Sequence, residues 1–81
     1  MKATKSIRVP SSYDITSAIE EYQGMITHNT LRVTDHMHEL NGCLEGGQLD
    51  RASELVMEIE GRVNSVIHYT EMVKSLRKEL A

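Results

Sequence analysis

The second half of the chain carries a repeat that leaves little freedom of fold. Leu49, Ala52, Val56, Ile59, Val63, Val66, Thr70, Val73, Arg77 and Leu80 follow one another in alternating steps of three and four, interrupted in apolar character only at Thr70 and Arg77. This is the heptad pattern of a helix that buries a narrow stripe against a second helix and supercoils left-handedly around it. The first half has the same period in two columns. One column, Ile19, Ile26, Val33 and Leu40, is aliphatic throughout; the other, Ile15, Tyr22, Asn29, His36 and Cys43, turns polar in its middle. A straight 3.6-residue period would instead turn Met37 and Leu44 inward in place of His36 and Cys43, and the sequence leaves both registers open.

Gly46-Gly47 is the only Gly pair, and the one Pro stands at position 10. These breaks predict a helix over about 12–44, a turn over 45–48 and a second helix over about 48–80, each roughly 50 Å long. So short a connection makes the helices antiparallel neighbours. Ser11 and Asp14 resemble a capping box, with Pro10 and Ile15 as its hydrophobic staple. The expected fold is all-α: an antiparallel two-helix hairpin over 11–81, preceded by a basic, extended N-terminal arm over 1–10.

Eighty-one residues bury a small core, and the lone Cys43 cannot form a disulfide within the chain. Self-association is the remaining route to stability. Apolar residues off the stripes, namely Ala18, Met25, Leu55, Ile67, Tyr69 and Leu76, argue for a second interface. Near the C-terminus, Tyr69, Val73, Leu76 and Leu80 form a competing stripe. A homodimeric four-helix bundle or a larger symmetric assembly satisfies both observations.

The chain has no run of about 18 apolar residues and no apolar segment after its basic start, so neither a membrane span nor a secretory signal is expected, and a cytoplasmic location is. The four histidines do not have metal-ligand spacing. His36 and His38 point about 160° apart on a helix, and His28 lies roughly 12 Å from His36. No nucleophile motif or phosphate-binding loop is present, Cys43 has no activating motif around it, and neither an enzyme nor a cofactor is expected.

Asn29 is the candidate register-fixing residue of a polar seam that also includes Tyr22 and His36. Folding the hairpin about the Gly pair brings Asn64 level with Asn29, although one residue off the stripe. On this reading Asn29→Leu raises thermal stability and loosens assembly specificity. His36, in the same column, is a candidate pH-sensitive contact.

The net charge is −3, unevenly distributed. Lys2, Lys5 and Arg8 meet Lys74, Arg77 and Lys78 where the two chain ends come together, whereas residues 22–70 hold three arginines against seven acids. The basic end is a candidate anion site for nucleic acid, a nucleotide or an acidic protein. The stretch TKSIRVP resembles the opening of ribbon-helix-helix repressors, whose paired strands read the major groove. That resemblance covers fewer than ten residues and implies DNA contact by the arm; the helices that follow are too long for that fold. In outline the hairpin is similar to the small antiparallel hairpin dimers that control plasmid copy number, a likeness of shape alone. The leading expectation is a non-enzymatic regulator or inhibitor of the kind found among mobile-element accessory proteins, acting as a homo-oligomer through contact with a protein partner. A nucleic-acid binder using the basic end and a small-anion binder at an oligomer junction are the alternatives.

Overall fold

The computed structural model describes residues 12–80, which form two α-helices packed against each other: α1, Ser12–Glu45, and α2, Leu49–Leu80. The arm over 1–10 and the cap at Ser11 lie outside the described residues. No described helix is long and apolar enough to cross a membrane.

The turn follows from Gly47. Its φ of +72° lies in the left-handed region, where a side chain is strained, and it is the only described residue there. This conformation ends α1 in a Schellman motif: Gln48 N–H donates to Cys43 C=O at 2.8 Å, and Gly47 N–H to Leu44 C=O at 3.3 Å. The Cys43 thiol also contacts Gln48 Oε1 at 3.5 Å across the turn. Helix α2 then starts with Ala52 N–H donating to Gln48 C=O at 3.0 Å. Its dipole is complemented at both ends, by Asp50 in the first turn and by Arg77 and Lys78 in the last.

On α1 the inward positions are Ile15, Ile19, Tyr22, Ile26, Asn29, Val33, His36, Leu40 and Cys43, all buried or half-buried. The heptad register therefore holds, and Met37 and Leu44 are more than half exposed. On α2 the stripe differs from the expected one. Ala52, Ile59, Val66 and Val73 face inward as expected, but the second column is Leu55, Arg62, Tyr69 and Leu76; of the expected column Leu49, Val56, Val63 and Arg77 are exposed and only Thr70 is half-buried. The competing stripe seen near the C-terminus runs the length of the helix. The reason is local packing at the turn: Leu55 is fully enclosed by Leu40, Cys43 and Ala52, while Leu49 and Val56 are left 65% and 44% exposed. The two stripes flank the same central column, so choosing one rotates α2 only modestly and leaves the other as an uncovered apolar strip.

Two small apolar clusters result. Ile15, Ile19 and Val73, with Tyr22, Ile26 and Leu76 against them, close the open end; Cys43, Ala52 and Leu55, with Leu40, close the turn. Between them one column of the seam is polar, with Asn29, His36 and Arg62, while Val33, Ile59 and Val66 keep the other aliphatic. Leu55→Ala should cost about 2–5 kcal/mol, whereas Leu31→Ala, on the outer surface, should stay within about 0.5 kcal/mol; urea unfolding distinguishes them. Gly47→Ala should lower stability by about 1–2 kcal/mol. Gly61→Ala, in the middle of α2 with open space around its Cβ position, should raise it by about 0.5–1 kcal/mol in the same assay.

Candidate interaction faces

The polar middle of the seam is built around Asn29. Its burial leaves 9% exposed, and both ends of its amide are occupied: Nδ2 donates to Met25 C=O at 2.8 Å, and Oδ1 accepts from Arg62 Nη1 at 3.0 Å. Arg62 occupies a seam position of α2, so this charge-assisted hydrogen bond crosses the interface. Asn64, expected level with Asn29, is exposed and takes no part. The geometric reason is the rotation of α2 just described, which turns Arg62 inward and Asn64 outward. Toward the open end, Tyr22 stacks on Tyr69 with ring centroids 5.6 Å apart, and His68 tilts against Tyr69 at 5.5 Å.

His36, one heptad from Asn29 toward the turn, is 6% exposed. Its Nε2 lies 3.4 Å from Glu58 Oε2, close enough for an ion pair when the ring is protonated, but without hydrogen-bonding geometry. Glu58 leads outward to Arg51, whose guanidinium also holds Glu39 Oε2 at 3.0 Å and Glu54 Oε1 at 3.1 Å. The hydrogen bond to Glu39, followed by that to Glu54, pushes the Arg51 pKa above its already high value and keeps the group charged. These carboxylates are largely exposed and the pairs are screened by salt.

The positions flanking the seam make the two broad faces of the hairpin chemically different. One face includes Glu39 and Arg51, which meet across the helices. Its flanking residues are Ala18, Met25, Arg32 and Glu39 on α1, with Arg51, Glu58, Ser65, Met72 and Glu79 on α2, and five of these nine are charged. The opposite face carries Thr16, Gln23, Thr30, Met37 and Leu44 on α1, with Leu49, Val56, Val63, Thr70 and Arg77 on α2. Only Arg77 among these ten is charged. On this neutral face Thr30, Val33, Val63, Val66 and Ile67 line an apolar groove of about 220 Å³. The Thr30 hydroxyl is turned onto its own helix, donating to Ile26 C=O at 2.8 Å.

Lys74 and Arg77 border a larger groove on the same face, of about 530 Å³, together with Gln23, Ile26, Thr27, Thr70 and Val73. Lys78 is exposed outside it. The remaining anion candidates, Lys2, Lys5 and Arg8, lie outside the described residues. Within the described open end, Asp14, Glu20, Glu21, Glu71 and Glu79 outnumber Lys74, Arg77 and Lys78, so no general positive field arises there from described residues. Among the described residues no three His, Cys, Asp or Glu side chains converge on a point that could hold a metal. Comparison with known protein families, with curated proteins and with solved structures finds no match to this chain.

Sequence reasoning reached Asn29, His36 and Tyr22 as seam residues but missed Arg62. The signal was present: Leu55, Arg62, Tyr69 and Leu76 stand seven apart in a column with three large apolar members. Arg62 changes the expectation for Asn29→Leu. Replacing the amide alone removes the partner of a half-buried guanidinium and should cost about 1–3 kcal/mol. Replacing both, Asn29→Leu with Arg62→Leu, should raise stability above wild type, as when buried polar partners give way to packed apolar ones. Thermal unfolding of the two single variants and the double variant, in a double-mutant cycle, checks both signs.

Proposed function

We propose that this protein is a non-enzymatic helical interaction module that self-associates through its neutral face and acts as a regulator or inhibitor by protein-protein contact. One observation carries the reading: the distribution of apolar side chains in a hairpin only one helix thick. Among the described residues six apolar side chains are buried and eleven large ones are exposed, and Leu55 alone among large side chains is fully enclosed. Exposed apolar residues scattered singly are ordinary, but a continuous strip is not. Met37, Leu44, Leu49, Val56 and Val63 all occupy flanking positions of one face, with Ile67 beside them and no charge between the two helices. Covering that strip with a second hairpin completes a four-helix bundle, in which each helix buries three positions of every seven rather than two.

The nucleic-acid alternative is less well supported, because the cations in the described open end are outnumbered by acids. Self-association also suits a small core, which gains stability with the logarithm of the partner concentration over the dissociation constant. Val63→Asp places a carboxylate in the apolar strip without touching either buried cluster. Sedimentation equilibrium should show wild type as an oligomer and Val63→Asp as a monomer, or as an oligomer weakened at least about a hundredfold, with helical circular dichroism retained. A wild-type chain that stays monomeric at high micromolar concentration would overturn the reading.

A further inference from the structure

The neutral face is not uniform along its length, and its unevenness selects one way for two copies to meet. The flanking columns of α1 and α2 are each spaced by seven residues and centred on Thr30 and Val63, which meet in the apolar groove at mid-length. Toward the turn these columns hold the protruding side chains Met37 and Val56, 53% and 44% exposed. At the equivalent distance toward the open end they hold Gln23 and Thr70, and there the surface opens into the cavity of about 530 Å³ floored by Ile26 and Val73. A knob on one side of the midpoint thus matches a hole on the other. Charge follows the same division: Lys74 and Arg77 rim the hole, while Glu45 and Asp50 stand beside the turn.

We infer that two copies dock neutral face to neutral face about a twofold axis passing at the level of Thr30 and Val63, with their turns at opposite ends. In this arrangement α2 lies over α2 of the partner. Val63 meets its own symmetry mate, Val56 and Met37 enter the partner's hole above Ile26 and Val73, and Lys74 and Arg77 come level with the partner's Asp50 and Glu45. The other twofold, with both turns at one end, sets hole against hole and brings the Lys74 and Arg77 rims of both copies together. That arrangement leaves a void and adds like-charge repulsion. The face is large enough: two helices roughly 50 Å long, packed about 10 Å apart, present an area comparable to the roughly 800 Å² per partner of a stable complex.

The inference rests on the proposed self-association, and the experiment separates the two. Lys74 and Asp50 are roughly 36 Å apart within one chain, so a zero-length carbodiimide link between them can form only between copies. Mixed isotopically light and heavy wild-type protein should yield that link as light-heavy peptide pairs at concentrations where the native mass is dimeric. In parallel, a spin label at Gln48→Cys in a Cys43→Ala background should report turns roughly 45 Å apart. A dimer whose labels lie within about 20 Å, without the Lys74 links, keeps self-association and overturns the opposed arrangement. A native mass that is monomeric throughout overturns both. If Cys43→Ala does not fold, the link on the unmodified chain decides alone.

Discussion

The hydrogen bond from Arg62 to Asn29 sets the alignment of the two helices. Apolar stripes alone would permit α2 to slide by one heptad with little loss, since aliphatic residues recur every seven positions in both helices. The polar pair forbids it. A slip of seven residues would bring Tyr69 opposite Asn29 and Arg62 opposite His36, leaving the amide oxygen without its donor and placing a guanidinium against an imidazole. An unmet buried polar group costs about 1–3 kcal/mol, as much as a small core can lose without melting. The apolar clusters at the two ends supply attraction, and the middle supplies register.

That alignment has a cost, which shapes the rest of the molecule. Asn29, His36 and Arg62 occupy seam positions that aliphatic side chains would fill in a stable isolated hairpin, so the enclosed apolar core shrinks to two patches. The rotation that brings Arg62 inward also turns Leu49, Val56 and Val63 out. Polarity in the seam and apolarity on the neutral face are therefore two consequences of one helix orientation. The charged face shows the opposite adaptation: Arg51 joins three carboxylates there and His36 reaches Glu58, and burying that network under a second layer would desolvate it without new partners.

Much of the fold could be read from the residues. The antiparallel hairpin followed from the Gly pair and the heptad spacing, because a left-handed glycine and a stripe of period 3.5 each have few structural solutions. The burial of His36 and Cys43 and the rotation of α2 could not be read. Two overlapping stripes on α2 share the column Ala52, Ile59, Val66 and Val73 and differ by about 100° in the other, and hydrophobicity favours the wrong one, since Val56 and Val63 are more apolar than Arg62. The structure resolves it through packing at the turn, where the Schellman geometry directs Leu55 rather than Leu49 between Cys43 and Leu40. The candidate polar seam was legible in Asn29, Tyr22 and His36 because polar residues interrupting an aliphatic column stand out. Arg62 was hidden by the same ambiguity of stripe, and Asn64 was favoured through level alone, without the angular position that decides contact.

The same ambiguity explains why α2 carries more apolar surface than one stripe needs. A helix that packs on one neighbour uses two columns, and one that sits inside a four-helix bundle uses three. Counting Ala52, Leu55 and Val56 as the three columns, every heptad of α2 is apolar in at least two of them, and the polar members are Arg62, whose charge is met by Asn29, with Thr70 and Arg77. A reading that treats the two stripes as rivals must leave one unexplained. If instead both are used, the stripe through Leu55 faces α1 and the stripe through Val56 faces a second hairpin. The sequence then encodes two interfaces on one helix, with Arg62 and Asn29 marking the inner one, and the near absence of charge marking the outer.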